Sequence, residues 1–464
     1  MSSTSKKVEE KNGQFYGGTI GPWLPMILMI TGIIVCTAIG LKGTLNMAMV
    51  AFLAYIIGFM LYKDKKNFGD IALSGIRNPM MGTIILAFLF AGMMSQLLRQ
   101  SGLIQALIWV VSELNLNVTF IPLVCFIAPL LISTSCGTST GSVAAVAPVL
   151  LPLAAELNVD VGLACGAIIS GAIFGDNLAP ISDTTIGSSL TQEASVSDVV
   201  KSRVPYSLIA AGISAVLFVV FGMKMTNTGS EAIVADPSSA KALILLILPV
   251  IMIIMMRKNW SLVSTLIVCN TMGIAINLII GCITPVAMFS TDGPIVSGMT
   301  GMLNLVLYVI LLHQIFEFLN CSHAFDLLET KLLKICKTPR SAELVCYGIA
   351  SIGSAACVGS TGAIMSFGKI VRTITKSFNI DRCRSANILD GVACAATGLI
   401  PFCNPVIVSL GVAMTIEGID PNFSFANIMP YTFHCWALLA IFLLSILTGI
   451  GRKFEVPDEN SSTE

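Results

Sequence analysis

The residues best suited to chemistry in this sequence lie between Ser170 and Ser189, which reads SGAIFGDNLAPISDTTIGSS. Two carboxylates, Asp176 and Asp183, stand there within an otherwise apolar run. A charged side chain at the centre of a bilayer costs about 3 kcal/mol or more, so an acid in such a run is a candidate functional group. The alternative for each acid is a structural role in which neighbouring hydroxyls hydrogen-bond to it.

Proline and glycine residues around these acids predict an interrupted helix. Pro180 cannot donate a hydrogen bond to the carbonyl of Asp176, and Gly175 and Gly187 loosen the backbone on either side. Carbonyls freed by the break, together with polar side chains, offer the oxygen ligands that hard cations prefer. The small number of charges points to a monovalent ion, so we predict a site for Na⁺ or a proton. Its predicted residues are Asp176, Asn177, Ser182, Asp183, Thr184 and Thr185, with Asp183 and Thr184 as ligands of Na⁺.

The same pattern occurs twice along the chain. A single shift along the sequence, the one that lays Ser139 over Ser360, brings the apolar runs of the first half onto those of the second. At this repeat shift the segment 136–141 (CGTSTG) lies over 357–362 (CVGSTG), and Pro180 lies over Pro401. A cluster of small polar residues and a distant proline in the same register predict an internal duplication.

Each half contains a segment rich in hydroxyl side chains and glycine between two apolar runs. Such a segment makes a poor lipid-facing helix, because its polar groups need partners in the hydrocarbon. We predict that each is the tip of a re-entrant helical hairpin, and two ordinary helices with hydroxyls packed between neighbours are the alternative. The tip residues expected to close over the site are Gly137, Thr138, Ser139, Thr140, Ser360, Thr361 and Gly362.

The second half repeats the interrupted backbone without its charge. Asn404 falls opposite Asp183 under the repeat shift, and Pro401 and Pro405 free backbone carbonyls around it. We predict that Asn404 lines the site, and a hydrogen bond that kinks the helix is its alternative role. Asp390 lies earlier in the same run, and we interpret it as an interfacial acid near the cytoplasmic side.

Composition places these segments in a membrane. Of the 464 residues, 55% are hydrophobic and 11% are charged, against about 25% charged residues in typical soluble domains. The 26 basic and 26 acidic residues cancel, so no net field attracts nucleic acid. These figures exclude a soluble enzyme, a nucleic-acid-binding protein and a disordered chain. We predict a polytopic membrane protein.

Catalytic alternatives find little support in the sequence. It carries no nucleotide-binding, zinc or nucleophile motif. An intramembrane aspartyl protease would need its two acids on different helices, whereas both acids here share one segment. A passive channel is disfavoured because two hairpins would plug a pore. We therefore predict that the chain is not an enzyme and has no cofactor, with Na⁺ and H⁺ as transported ions.

The distribution of lysine and arginine indicates the topology. If each hairpin is counted as a non-crossing segment, five crossings remain in each half, and the second half is inverted relative to the first. With a cytoplasmic N-terminus, most of the 26 basic residues fall on the cytoplasmic side, as the positive-inside rule requires. We predict an all-α polytopic fold of two inverted five-helix repeats, each with a re-entrant hairpin and a broken helix, and with both termini in the cytoplasm.

The predicted organisation follows from this topology. A segment before each hairpin, 102–114 and 323–337, occupies a matching position, and the second is amphipathic. We interpret it as an interfacial helix, with a simple surface linker as the alternative. The predicted cytoplasmic tails are residues 1–18 and 451–464. Repeat 1 spans 19–223, with scaffold helices at 19–98 and the hairpin and broken helix at 118–190. Repeat 2 spans 240–450, with scaffold helices at 240–319 and the hairpin and broken helix at 343–416.

From residue 174 to 185 the sequence closely resembles the NhaC-type Na⁺/H⁺ antiporter family of the ion transporter superfamily. The string G-D-x-x-x-P-x-S-D-T-T carries this resemblance, which extends to Gly137–Ser139 at the first hairpin tip. The resemblance implies a secondary transporter of the bacterial inner membrane, with a cation site at Asp176, Asp183 and their hydroxyl neighbours.

The predicted function is antiport of cytoplasmic Na⁺ against external H⁺, in which a carboxylate binds either Na⁺ or a proton. Ala179 stands where members of the family often have serine, and Asn177 where many have lysine, which leaves the cargo open. The alternative is a Na⁺- or H⁺-coupled carrier or exchanger of a small organic acid or amino acid. Expected partners are the lipid bilayer, Na⁺ and, in the alternative, that organic molecule, but no nucleic acid. The oligomeric state is open, with a homodimer as one option.

Overall fold

The described part of the chain is helical. The computed structural model describes residues 15–18, 20–39, 41, 44–77, 79–113, 117–180, 182–225, 237–258, 260–322 and 335–455. Within these ranges the only β-structure is a pair of isolated bridges. The prediction of an all-α fold is therefore confirmed. Most of the expected interfacial helix at 323–337, and much of both terminal tails, lie outside the described residues.

Helices of the first half follow one another through short connections. Those that the structure describes are α1 (Leu24–Ala38), α2 (Thr44–Leu61), α3 (Phe68–Ile76), α4 (Pro79–Gln100), α5 (Leu103–Glu113), α6 (Ile121–Cys136), α7 (Ser139–Glu156), α8 (Val161–Leu178), α9 (Asp183–Thr191) and α10 (Val196–Met225). The helices α6 and α7 form the first hairpin, and α8 and α9 are the two parts of the first broken helix.

The second half has a similar order. Its described helices are α11 (Ile247–Arg257), α12 (Leu262–Ile280), α13 (Pro285–Phe289), α14 (Pro294–Gly301), α15 (Leu303–Cys321), α16 (Pro339–Ala356), α17 (Ser360–Lys376), α18 (Arg382–Thr397), α19 (Asn404–Met414), α20 (Phe425–Ile428) and α21 (Phe433–Thr448). The helices α16 and α17 form the second hairpin, and α18 and α19 are the two parts of the second broken helix.

Helix starts in the two halves agree with the repeat shift found in the sequence. The helix pairs α7 and α17, α8 and α18, and α9 and α19 each begin at positions that this one shift superimposes. The three pairs of first residues are Ser139 and Ser360, Val161 and Arg382, and Asp183 and Asn404. Local structure therefore follows the repeated sequence pattern, while the inverted orientation of the repeats stays a prediction.

Several helices are long and apolar enough to cross a membrane. Among the described residues there are seven, or up to eight if the pair α20–α21, bent by 56°, counts as one span. Shorter apolar helices, such as 45–61 and 404–414, lie beside them. The chain is therefore a multi-pass membrane protein, and the number of ten crossings stays a prediction.

Glycines on α8 let this central helix approach the first hairpin closely. A Cβ built at Gly171 would lie 2.0 Å from the carbonyl oxygen of Phe126, and one at Gly175 would lie 2.4 Å from the backbone nitrogen of Thr134. Both obstacles are backbone atoms of α6, which cannot rotate away as a side chain can. Small residues at such positions are what allow helices to pack at short range in a membrane.

Replacing Gly171 by alanine is expected to lower the melting temperature of the purified protein markedly. Alanine gains about 1 kcal/mol of helix propensity over glycine, but overpacking costs about 1–3 kcal/mol or more when backbone must shift. The matched control is Gly212→Ala in α10, where a Cβ would meet nothing within 4 Å. Equal melting temperatures for the two variants would contradict the close packing of α8 on α6.

The two hairpins differ in how they are covered. In α7 every residue from 141 to 149 is buried, whereas Met365, Ser366, Lys369 and Thr373 of α17 are exposed. The helix α7 packs against α4, α5 and α11, while α17 lies on α9, α16 and α18. One face of the second hairpin, most of it polar, is thus left open where the first hairpin is enclosed.

Ion pairs tie the last described residues to the second hairpin. Glu343 in α16 is fully buried, and its two oxygens accept hydrogen bonds from Arg384 Nε at 2.9 Å and Arg452 Nη2 at 2.6 Å. Nearby, Arg372 of α17 pairs with Glu193 at 3.1 Å. The hydrogen bond and charge of Arg372 hold the pKa of Glu193 below its usual value. These contacts connect both ends of the second hairpin to neighbouring segments.

Candidate functional site

A cavity of about 90 Å³ lies where both hairpin tips meet both helix breaks. Most of the residues singled out in the sequence line it. They are Gly137, Thr138, Ser139 and Thr140 from the first tip, Asp176, Ser182, Asp183 and Thr184 from the first break, Ser360 and Thr361 from the second tip, and Asn404 from the second break. The structure therefore brings together segments from opposite halves of the sequence.

The first break separates the two acids. The helix α8 ends at Leu178 and α9 begins at Asp183, and the described residues between them, Ala179, Pro180 and Ser182, are not helical. Asp176 lies in the last turn of α8, and Asp183 is the first residue of α9. The proline and glycine pattern predicted this interruption, and it places one carboxylate on each side of the gap.

Asp176 is a buried carboxylate surrounded by hydroxyl groups. It is only 6% exposed, and Ser182 Oγ donates a hydrogen bond to its Oδ1 at 2.6 Å. Ser139 of the first hairpin tip lies beside this carboxylate in the cavity lining. Ser182 Oγ lies 2.9 Å from Thr184 Oγ1. The carboxylate therefore lies where the hairpin tip meets the broken helix.

Asp183 has a different environment. It is exposed and lines the cavity, and it occupies the first turn of α9, where the partial positive charge of a helix N-terminus stabilises a carboxylate. An accessible carboxyl group beside a buried one places both acidic residues of the cavity lining in this half. Oxygen atoms of this kind suit a hard monovalent cation.

Four helices begin at the cavity. The first residues of α7, α9, α17 and α19 all line it. In the first half, the side chains of Thr138 and Ser182 cap the N-termini of α7 and α9 by accepting hydrogen bonds from backbone N–H groups. In the second half, Gly359 and Cys403 provide no side-chain cap for α17 and α19. In the second half, therefore, the N-termini of α17 and α19 have neither a capping side chain nor a carboxylate in their first residue.

The cavity lining consists of matching positions from the two halves. Residues that the repeat shift superimposes face the cavity together, and the list of pairs is Thr138 with Gly359, Ser139 with Ser360, Thr140 with Thr361, Asp176 with Thr397, Asp183 with Asn404, and Thr184 with Pro405. Both carboxylates of the first half have neutral counterparts. Gly359, Thr397 and Pro405 were not among the predicted site residues, although applying the shift to the predicted ones would have found them.

Three predicted site residues do not line this cavity. Asn177 is fully buried behind it, and its side-chain oxygen accepts a hydrogen bond from Ser207 Oγ at 3.1 Å. Thr185 is also fully buried, with its hydroxyl 3.3 Å from Arg203 Nη1. Gly362 follows the cavity-lining residues of the second tip. The structure therefore places Asn177 and Thr185 behind the cavity wall and not on its surface.

A buried ion pair behind the cavity was missed in the sequence. Arg203 of α10 and Asp390 of α18 are both fully buried, and Arg203 Nη1 lies 2.5 Å from Asp390 Oδ2. The interpretation of Asp390 as an interfacial acid is therefore wrong, because its charge is compensated in the protein interior. The sequence did mark Asp390 as an acid in an apolar run, as it did Asp176, but it gave no signal for the partner Arg203.

Sequence comparison finds related antiporters. Residues 16–223 match the model of the Na⁺/H⁺ antiporter family. The malate-2H⁺/Na⁺-lactate antiporter of Bacillus subtilis is 28% identical over 203 residues, which are 44% of this chain and 42% of that protein. The NhaC Na⁺/H⁺ antiporter of Alkalihalophilus pseudofirmus is 22% identical over 267 residues, 55% of this chain and 56% of that protein. The chain therefore matches less than two thirds of the length of either relative.

Among solved structures, the YdaH transporter of Alcanivorax borkumensis aligns with 92% of this chain and 99% of its own chain. The sequence identity is 12% and the TM-score is 0.38.

Proposed function

The sequence comparisons relate this chain to the NhaC-type Na⁺/H⁺ antiporter family, and from that premise we propose that it is a secondary transporter exchanging Na⁺ for H⁺. The proposed location is the bacterial inner membrane, with both termini in the cytoplasm. The observation that carries the proposal is the cavity in which Asp176 and Asp183, one on each side of a helix break, face hydroxyl groups of both hairpin tips. Secondary transporters characteristically bind cargo at broken helices between repeats.

Exchange in this proposal arises from competition for carboxylate oxygens. A Na⁺ ion would take oxygens from Asp183 and Thr184, with Ser182 and Asp176 alongside. A proton on the same carboxylate removes the negative charge that attracts the cation, so the two cargoes exclude each other. The hairpin tips, through Thr138 to Thr140 and Ser360, would cover the bound ion and keep bulk water away from it.

The proposal is tested by ion flux in liposomes containing the purified protein. An imposed Na⁺ gradient should drive proton movement in the opposite direction, reported by a pH-sensitive dye inside the vesicles. A choline gradient of equal size should drive none. Proton movement that is the same with Na⁺, choline and empty vesicles would contradict Na⁺/H⁺ exchange.

A second candidate function is the coupled transport of a small organic acid or amino acid. It is supported by the uncapped N-termini of α17 and α19 in the neutral half of the cavity, because helix N-termini attract carboxylates. Asn404 adds a buried side-chain oxygen that has no hydrogen-bond partner among the described residues. One relative is named for malate and lactate exchange. In this candidate the acidic half would hold the cation and the neutral half the organic anion.

The two candidates make different predictions for labelled substrates. Under the second, liposomes loaded with unlabelled malate or lactate should accumulate the radiolabelled acid by counterflow, and omitting Na⁺ should slow accumulation at least several-fold. Under the first, neither acid should be taken up above the level of empty liposomes. Na⁺-driven proton flux without any organic acid present would favour simple Na⁺/H⁺ exchange.

A further inference from the structure

A chain of buried polar groups leads from the cavity to the ion pair behind it. Beyond Asp176, Ser182 and Thr184, the next group is Cys394, whose Sγ lies 3.6 Å from Thr184 Oγ1 and 3.1 Å from Asp390 Oδ1. Asp390 in turn is paired with Arg203. All of these side chains are at most 6% exposed. The ion pair is therefore in contact with the cavity through neighbouring side chains and is shielded from solvent.

Arg203 spans the break in the first broken helix. Its Nη1 donates to the backbone carbonyl of Asn177, in the last turn of α8, and lies 3.3 Å from the hydroxyl of Thr185, in the first turns of α9. Its Nε donates to Asn387 Oδ1 of α18 at 3.0 Å. A guanidinium holds several hydrogen bonds in one rigid plane. One side chain from α10 thus connects both sides of the gap to α18.

Asp390 compensates and orients this guanidinium. Besides the ion pair, Asp390 Oδ2 accepts a hydrogen bond from Ser188 Oγ of α9 at 3.1 Å. A buried charge without its partner is strongly destabilising, so each member of the pair requires the other. The counterparts of Arg203 and Asp390 under the repeat shift are Ser424 and Ile169. The pair takes one member from each half of the chain, and neither member has a charged counterpart.

We propose that Arg203 is a positioning residue for the cation site. By holding α8 and α9 at a fixed separation, it sets the distance between Asp176 on one side of the break and Asp183 on the other. The carboxylate of Asp390 compensates the positive charge of the Arg203 guanidinium, so that this charge does not repel a cation in the cavity. The inference rests on the proposed Na⁺ site and adds a determinant of Na⁺ affinity that does not contact the ion.

The test measures Na⁺ binding rather than transport. The melting temperature of the purified protein in detergent is followed as NaCl replaces choline chloride, which yields the Na⁺ concentration for half-maximal stabilisation. In the double variant R203Q/D390N no charge is stranded, so the protein should fold, but the connection across the break is lost. We expect its half-maximal Na⁺ concentration to rise about tenfold or more, as is typical when a group supporting a metal ligand is removed.

Two further variants make the result specific. Arg203→Lys retains the charge and should fold, but its single ammonium group cannot span the break, so Na⁺ affinity should fall by an intermediate factor. The control E343Q/R384Q removes another buried ion pair, joined at 2.9 Å, that does not touch α8 or α9, and it leaves only Arg452, whose side chain is 16% exposed, without its partner. Its half-maximal Na⁺ concentration should equal that of the unmodified protein.

The outcomes separate the inference from the function on which it rests. If Na⁺ does not stabilise the unmodified protein more than choline, the proposed Na⁺ site itself fails. If Na⁺ stabilises it, but either R203Q/D390N or R203K keeps the original half-maximal concentration, the pair is merely structural and the inference is overturned. An equal loss of Na⁺ affinity in the E343Q/R384Q control would also overturn it.

Discussion

Replacing Asp183 by asparagine is expected to reduce Na⁺-dependent proton exchange about 100-fold or more, if the charged ligand contributes about 3 kcal/mol. Asparagine keeps the shape of the side chain and one oxygen, but it carries no negative charge and cannot take up a proton. Because Asp183 is exposed at the start of α9, the substitution should leave the fold intact. Proton flux in liposomes under a Na⁺ gradient measures the effect, with protein content checked in each preparation.

The matched control for this experiment is Asp198→Asn. Asp198 also lies in the first turn of a helix, α10, and its side chain is 63% exposed, but it lies outside the cavity. Its removal tests whether any acid at a helix N-terminus affects the assay. Flux should be unchanged in this variant. Retention of full exchange by Asp183→Asn, or an equal loss in Asp198→Asn, would exclude Asp183 as the cation-binding carboxylate.

Replacing Glu343 by glutamine is expected to destabilise the protein by about 3–5 kcal/mol, the usual cost of leaving a buried charge uncompensated. Glu343 is fully buried between Arg384 and Arg452, and glutamine would leave both guanidinium groups without their counter-charge. Thermal or chemical unfolding in detergent measures the change. The two bonds join α16 to α18 and to the last described residues, so the second hairpin should loosen first.

A surface ion pair provides the comparison for Glu343. Glu417 pairs with Arg99 at 2.8 Å, but its side chain is 89% exposed. Glu417→Gln should therefore cost at most about 1 kcal/mol, because solvent screens such pairs. If Glu343→Gln proves no less stable than Glu417→Gln, the buried pair does not hold the second hairpin as the structure indicates.

The features that sequence predicted well are those governed by local chemistry. Pro180 removes a backbone donor whatever surrounds it, so the break between α8 and α9 could be located from the sequence. The repeat shift carried the same reasoning to the start of α19 at Asn404. Because matching segments face one cavity, most of the residues selected by type and spacing indeed lie together there.

The features that sequence missed depend on tertiary contacts. Arg203 and Asp390 are on different helices from different halves of the chain, and nothing in either local sequence indicates the other. An acid near the start of an apolar run can lie at the membrane–water interface or in the protein interior. Only the position of its partner shows which of the two applies. Thr397 was overlooked for a different reason, since a hydroxyl at the end of α18 has no local signal and is recognisable only as the counterpart of Asp176.

The uneven covering of the two hairpins has a consequence for the proposed exchange. The exposed residues of α17 begin at Met365, beyond the cavity-lining Ser360, and continue to Lys376, at the side predicted to face the cytoplasm. The corresponding stretch of α7, residues 141–149, is buried. Under the proposed exchange and the predicted topology, this arrangement corresponds to an inward-facing state, and the outward-facing state requires α17 to be covered and α7 to be exposed. A crosslink that fixes α17 in its open position would arrest turnover while leaving the ion ligands untouched.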